Sequence, residues 1–180
     1  VALGVQALTT NTTADNNTAV GYQSLLSNST GADNTAIGSG ALDANTTGAN
    51  NTAMGKNALG ANTTASNNTA FGYGAMLVNT TGNSCIAIGG DTLDANTTGD
   101  NNIAIGQAAL GANTTAASNT AIGYTSMQQN TTGTQNTALG SGSLNANTTA
   151  SSNTAVGFNS LLSNTTGAEN VAVGYQSLNA

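Results

Sequence analysis

Large apolar residues recur along this chain at two places in a 17-residue repeat, and polar or small residues fill most of the rest. We number the repeat from the Asn of Asn17-Thr18-Ala19-Val20-Gly21. Position 4 is then always Val, Ile, Leu, Met or Phe, and position 9 is always Leu or Met. Position 3 is always Ala and position 5 is always Gly, with no insertion or deletion from Val1 to Ala180. A short fixed period of this kind predicts a repeat architecture.

The spacing of the apolar positions favours strands over helices. Positions 4 and 9 are five residues apart, so no 3.6-residue periodicity is sustained, and Gly, Asn and Thr are poor helix formers. Positions 2 to 5 alternate as in a strand, with 2 and 4 on one side and 3 and 5 on the other. We expect two further short strands, at positions 8–9 and at the Asn-Thr-Thr of positions 12–14. The chain has no Asn-Gly or Asp-Gly pair, which favours parallel stacking over hairpins.

The sequence therefore predicts an all-β fold, a parallel β-solenoid (β-roll) of 17-residue coils with about ten and a half turns and no globular domain. At about 4.8 Å per coil the rod would be on the order of 50 Å long. A single coil buries too few large side chains to offset its backbone entropy, so each coil depends on its neighbours. We expect residues 1–180 to be one uninterrupted array, a window of a longer fibre, because the chain begins and ends inside a repeat.

The apolar and small positions give two predicted sets of packed residues. The large residues at positions 4 and 9 are the predicted structural core. The Ala and Gly of positions 3 and 5 are predicted to form a close-packed small face, covered by another chain or by another wall of the same chain. The alternative for the glycines is a bend that needs a positive φ. The core set is Val20, Leu25, Ile37, Leu42, Met54, Leu59, Phe71, Met76, Ile88, Leu93, Ile105, Leu110, Ile122, Met127, Leu139, Leu144, Val156, Leu161, Val173 and Leu178, and the small face is Ala19, Gly21, Ala36, Gly38, Ala53, Gly55, Ala104, Gly106, Ala121 and Gly123.

The Asn-Thr-Thr segments allow two interpretations. Stacked Asn side chains can hydrogen-bond to one another along the rod. The same tripeptides also match the N-glycosylation sequence, and in that case the Asn would have to face outwards. The residues concerned are Asn11, Asn28 (in the one variant, Asn28-Ser29-Thr30), Asn45, Asn62, Asn79, Asn96, Asn113, Asn130, Asn147 and Asn164.

Composition excludes several classes of function. Charged residues make up 4% of the chain and the net charge is −6, with Lys56 as the only basic side chain. Nucleic-acid binding needs clustered Lys or Arg, and an anionic membrane surface is a poor partner for the same reason. We therefore expect no nucleic acid as partner and no membrane insertion in this window.

The reactive side chains are too few for a catalytic or metal site. There is no His, so His-dependent catalysis and His metal ligands are absent, and one Cys allows no internal disulfide. We expect no catalytic residue, metal or cofactor, and hence no enzyme. Cys85 stands at position 1, where Asn is usual, and is expected to be a buried replacement; a reactive thiol or a crosslink is the alternative.

The repeat resembles a known family. The segment Asn34-Thr35-Ala36-Ile37-Gly38-Ser39-Gly40-Ala41-Leu42 resembles the head repeats of YadA-like trimeric autotransporter adhesins. The longer phrase from Val20 to Gly31 is similar to arrays in bacterial surface proteins and phage tail fibres. The resemblance implies a left-handed parallel β-roll with three chains to a head and carries over no catalytic or ligand residue. The adhesin repeat is shorter, and the Asn-Thr-Thr segment is additional.

These observations favour an extracellular structural fibre or adhesin shaft, at a cell surface or on a virion. We expect self-association, as a homotrimer or a longer filament, and possible glycan decoration. The alternatives are a phage tail-fibre shaft and an ice-binding β-solenoid, since regularly spaced Thr on a flat face can order water. A second period of 51 residues separates Tyr22, Tyr73, Tyr124 and Tyr175 and indicates either a recurring lateral contact or a duplication.

Overall fold

The chain winds into a single-sheet β-solenoid with one short strand per coil. A computed structural model describes residues 1–179; Ala180, the last residue of the predicted array, lies outside them. The strands are β1 Ala2–Leu3, β2 Thr18–Val20, β3 Thr35–Ile37, β4 Thr52–Met54, β5 Thr69–Phe71, β6 Ile86–Ile88, β7 Ile103–Ile105, β8 Thr120–Ile122, β9 Thr137–Leu139, β10 Thr154–Val156 and β11 Val171–Val173.

All eleven strands form one parallel sheet in chain order. Each strand pairs with residues 17 positions away, so that Ala36 is the partner of Ala19 and Ile37 the partner of Val20. Identical repeat positions are therefore stacked above one another. The predicted parallel β-solenoid of 17-residue coils is confirmed, and there is no helix among residues 1–179.

The two additional strands predicted in each coil are wrong. Position 9 has a left-handed backbone in every coil, with φ of 52° at Leu59 and 50° at Met127, and position 7 is left-handed as well. A left-handed residue cannot continue an extended strand. These segments still join neighbouring coils by hydrogen bonds; for example, the Leu59 N–H donates to the Ala75 carbonyl at 3.0 Å. Positions 12–14 likewise form a bend.

The interior of the rod is lined by positions 3, 8 and 9. Ala19, Ala36 and their counterparts up to Ala172 are buried, and they form one cluster with the Leu and Met side chains from Leu25 to Leu161. Leu178 belongs to the predicted core but is 59% exposed, because no further coil covers it within residues 1–179. The core thus contains one large apolar side chain per coil, packed among small ones.

Half of the predicted core faces outwards instead. The alternation along the strand is as expected, but position 3 is inside and positions 2 and 4 are outside. The interior between the strand and position 9 has room for only the methyl group of Ala, so the larger position-4 residues lie on the outer side. The corrected residues, all half-buried or exposed, are Val20, Ile37, Met54, Phe71, Ile88, Ile105, Ile122, Leu139, Val156 and Val173.

The small residues of positions 3 and 5 are packed within the same chain. Ala19, Ala104 and the other predicted alanines are buried in the interior. The glycines make the bend after each strand with φ between 125° and 141°. A Cβ added at Gly106 would lie 2.5 Å from the Gly123 carbonyl oxygen of the next coil. Both the positive φ and the close approach of successive coils therefore require Gly at position 5.

Candidate functional site

Two columns of buried Asn side chains run along the rod beside its apolar core. In the position-12 column each Nδ2 donates to the Oδ1 of the preceding coil and to the carbonyl three residues ahead. Asn45 donates to Asn28 Oδ1 at 2.8 Å and to the Gly48 carbonyl at 3.0 Å. The ladder is unbroken from Asn11 to Asn164. Backbone and side chains thus make parallel hydrogen-bonded ladders.

The position-12 ladder is incompatible with N-linked sugar at the same residues. Asn45, Asn62, Asn96 and their counterparts between Asn28 and Asn147 are fully buried, and both protons of each Nδ2 are donated within the rod. A glycan on Nδ2 would remove one of these protons and would need space that the interior does not have. Of the two interpretations of the Asn-Thr-Thr segment, the structure forms the ladder.

A second Asn column, at position 1, was not among the predicted sites. The Asn17 Oδ1 accepts the backbone N–H of Asn34 at 2.9 Å, and its Nδ2 donates to the Gly31 carbonyl at 2.8 Å. The same Gly31 carbonyl accepts Asn28 Nδ2 at 2.9 Å, so the two columns meet at position 15. The recurrence of Asn at nine of the ten position-1 sites was the signal available in the sequence.

Cys85 interrupts the position-1 column without leaving it unpaired. The residue is fully buried; its N–H donates to Asn68 Oδ1 at 2.9 Å and its thiol donates to the Gly99 carbonyl at 3.2 Å. Burial raises the pKa of the Cys85 thiol to about 11. A buried neutral thiol of this kind is a structural residue, as the sequence predicted, and is a poor nucleophile.

The two Thr of the Asn-Thr-Thr segment have different environments. At position 13 the hydroxyl is half-buried and donates to the next coil, as in Thr46 Oγ1 to the Thr63 carbonyl at 2.9 Å. At position 14 the Thr hydroxyls make no hydrogen bond to the protein within the described chain. Position 14 is exposed in every coil and forms a row of free hydroxyls: Thr13, Thr30, Thr47, Thr64, Thr81, Thr98, Thr115, Thr132, Thr149 and Thr166.

The outward side of the sheet is uncharged and combines an apolar column at position 4 with a column at position 2 that is Thr in seven of the eleven coils. We call the side chains of positions 2 and 4, from Val1 and Leu3 to Val171 and Val173, the outer sheet face. Position 2 is Thr, Ile or Val and position 4 is Val, Ile, Leu, Met or Phe in every coil. Phe71 and Leu139 are each 45% exposed. This arrangement provides two straight columns of side chains repeating at about the strand spacing of 4.8 Å.

The acidic residues lie away from this face and do not form a metal centre. Asp91 and Asp94 line an open depression of about 620 Å³ together with Gly111 and Gln128. Burial raises the pKa of Asp94, and the nearby Asp91 carboxylate adds to the rise. The part of the chain that the structure describes contains no cluster of three or more His, Cys, Asp or Glu side chains, and none of its segments is a helix suited to crossing a bilayer.

Comparison with protein-family models, with curated proteins and with solved structures gives no match for this chain.

Proposed function

We propose that this chain is the shaft of an extracellular fibre or adhesin, a structural rod that carries out no catalysis. The unbroken stacking of eleven parallel strands at a constant 17-residue register is the observation that carries this proposal. Each coil hydrogen-bonds to the coils on both sides, and the apolar and Asn columns continue from coil to coil. Stability is then a sum of neighbour contacts and grows with the number of coils.

The division between inner and outer positions suits a shaft. Positions 1, 3, 9 and 12 are filled by the same few residue types in each coil, and these side chains hold the rod together. Positions 6, 7, 10 and 11 vary at the corners without changing the coil. Such a rod can hold a terminal domain at a distance from a cell or virion while its surface varies.

A scattering experiment tests the rod. Ten coils, residues 1–170, are fused in register to the chain, and the longest dimension is measured by small-angle X-ray scattering. The added coils should lengthen the particle by about 48 Å at unchanged cross-section, since each coil adds about 4.8 Å. An increase in cross-section without this gain in length would contradict a shaft.

Immunogold labelling tests where the rod works. An antibody raised against the chain should label projecting fibres on intact producing cells. Labelling of purified virions would support the phage tail-fibre alternative instead, which rests on the similarity of the Val20–Gly31 phrase to such arrays. Labelling that appears only after permeabilisation would refute an extracellular role.

The exposed row of Thr at position 14 favours ice binding as a second candidate. Free hydroxyls at a constant spacing on a rigid backbone can order water along the rod. Thermal hysteresis of the chain, and its loss when Thr81, Thr98 and Thr115 are replaced by Lys, would support this function. Freezing without hysteresis would exclude it.

A further inference from the structure

We propose that the depression beside Asp94 is a binding site for a neutral oligosaccharide on the side of the rod. The proposal goes beyond the role of a shaft, because a shaft needs no ligand along its length. Three features carry it: the shape of the depression, the polar side chains that line it, and two exposed tyrosines that flank it along the rod.

The depression is a gap between two coils that have larger polar side chains. The small residues that form the gap are Ala108, Gly111 and Ala112, and the polar ones on either side are Asp91 and Asp94 in the coil before and Gln128 and Gln129 in the coil after. The backbone does not require the gap, since the repeat position of Gly111 holds Leu in three other coils. Its volume of about 620 Å³ lies within the range of small-molecule sites.

The lining residues favour a ligand with several hydroxyl groups and no charge. The carboxylates of Asp91 and Asp94 only accept hydrogen bonds, whereas the amide of Gln128 both donates and accepts. Sugar hydroxyls can pair with both kinds of group. Burial raises the pKa of Asp94, so this carboxylate has fewer water partners than an exposed one and gains from a hydroxyl donor. An anionic ligand would meet two carboxylates, and Lys56, the only basic side chain of the sequence, lies two coils before them.

The tyrosines at position 6 add aromatic surface at the two ends of the site. Tyr73 and Tyr124 are each 59% exposed. The Asp91 N–H donates to the Tyr73 carbonyl at 2.9 Å, so Tyr73 lies in the coil directly before the depression, and Tyr124 belongs to the coil of Gln128. A Cβ added at Gly90, between the two tyrosines at position 6, would meet no atom within 4 Å. The space between the tyrosines is therefore open on this side.

The spacing of the tyrosines suits an extended glycan. Tyr73 and Tyr124 are three coils apart, or about 14 Å along the rod, which is close to the length of three sugar units of an extended β-linked chain. The apolar face of a sugar ring can pack on the face of an aromatic ring, and Tyr provides this surface together with a polar hydroxyl. The rigid backbone fixes the interval before the ligand binds, which lowers the entropic cost of binding.

The preceding interval of 51 residues lacks this combination. Between Tyr22 and Tyr73 the repeat has Lys56 at position 6 and Leu77 at position 10, where the depression has Gln at both places. Leu77 is 38% exposed and cannot hydrogen-bond to a hydroxyl group. This interval should therefore bind sugar much more weakly, and it provides matched control positions.

Isothermal titration calorimetry of the 180-residue chain tests the proposal. The probes are the neutral β-1,4-linked hexasaccharides of glucose, N-acetylglucosamine, mannose and xylose, and at least one should bind at millimolar concentration. Gly111→Leu fills the depression with a side chain that the repeat accepts at this position and should weaken binding at least tenfold. Gly60→Leu makes the same change 51 residues earlier and should alter binding less than twofold. Circular dichroism checks that both variants keep the β-signal of the wild type.

The tyrosines are tested in the same way. Tyr73→Ala with Tyr124→Ala should weaken binding at least tenfold, whereas Tyr22→Ala with Tyr175→Ala, outside the interval, should change it less than twofold. If Gly111→Leu prevents folding, Gln128→Leu should still weaken binding about fivefold, because it copies the residue at position 10 of the Tyr73 coil.

Three outcomes would overturn the proposal. One is that none of the four hexasaccharides binds at millimolar concentration. Another is that the Gly60 variant loses as much affinity as the Gly111 variant. The third is that calcium chloride gives a binding isotherm while all the sugars give none, which would assign the depression to a cation. The scattering experiment on rod length is independent of all these results.

Discussion

At the scale of single residues, the rod is stabilised by buried Asn side chains that no other residue type can replace. Each position-12 Asn must donate to a side chain below and to a carbonyl of its own coil while it accepts from the coil above. Asp would lack the donors and Gln would be too long for the same three contacts. The Asn columns are therefore as much part of the core as the Leu column.

Removal of one ladder amide should be costly. Asn96 donates to Asn79 Oδ1 at 2.7 Å and accepts from Asn113 Nδ2 at 2.8 Å, and all three side chains are buried. Asn96→Ala would leave an acceptor and a donor unpaired in the interior and should lower the free energy of unfolding by about 2–4 kcal/mol. Thr98→Ala, on the surface of the same coil, should change it by less than about 0.5 kcal/mol. Urea denaturation measures both; equal effects would mean that the ladder does not stabilise the fold.

A substitution at Cys85 should raise the free energy of unfolding instead of lowering it. Cys85→Asn restores the residue found at the other nine position-1 sites and exchanges a weak thiol donor for an amide. We expect the free energy of unfolding to rise by about 1 kcal/mol at neutral pH. A decrease would show that the coil has adapted to the thiol.

The stabilities of the wild type and of Cys85→Asn should also depend differently on pH. The folded-state pKa of the thiol is about 11, above its ordinary value of 9.0, so the folded state holds its proton where the unfolded state has lost it. The wild type should therefore lose stability as pH rises from about 9 to about 11, by on the order of 2–3 kcal/mol relative to Cys85→Asn. Urea denaturation of both proteins at pH 8 and pH 11 measures the difference. A constant difference would show that the thiol is not shielded.

At the scale of the coil, the turn after the strand limits how closely coils can stack. Gly106 combines a φ of 125° with a neighbouring carbonyl that leaves no space for a Cβ. Gly106→Ala should lower the free energy of unfolding by about 3 kcal/mol or more, from backbone strain and from separation of the two coils. Gly111→Ala in the same coil has no positive φ and meets its nearest atom at 3.4 Å, so its effect should lie between no change and a gain of about 1 kcal/mol. Similar losses from both would contradict the requirement for Gly at position 5.

The coil also shows which features of the structure could be predicted from the sequence. The 17-residue period predicted the parallel stack, and the alternation of Thr18, Ala19 and Val20 predicted the strand. The sequence did not show which side of that strand faces the interior. Ala and Val are both apolar, and the width of the interior depends on the path of the whole coil. The left-handed backbone at Leu59 could not be predicted either, since Leu has no preference for a positive φ.

At the scale of the molecule, the constant register is the property on which the rod depends. Every column of side chains runs through all the coils. The fold should therefore tolerate a deletion that preserves the 17-residue register but not one that breaks it. Deletion of residues 103–119 removes one coil and joins Asn102 at position 1 to Thr120 at position 2. Deletion of residues 104–119 is one residue shorter and joins Ile103 to Thr120, which places two position-2 residues next to each other in one strand.

The two deletions should behave differently although they differ by one residue. The 17-residue deletion should unfold in one transition, with the stability reduced by the contribution of one coil, because its strands and Asn columns still align. The 16-residue deletion inserts an extra residue into a strand, where a slip of one residue turns each side chain to the opposite face. Its coils above and below the junction should then unfold in two separate transitions. Urea denaturation followed by circular dichroism distinguishes the two profiles, and a single shared transition for both would mean that coil-to-coil register is not what makes the rod cooperative.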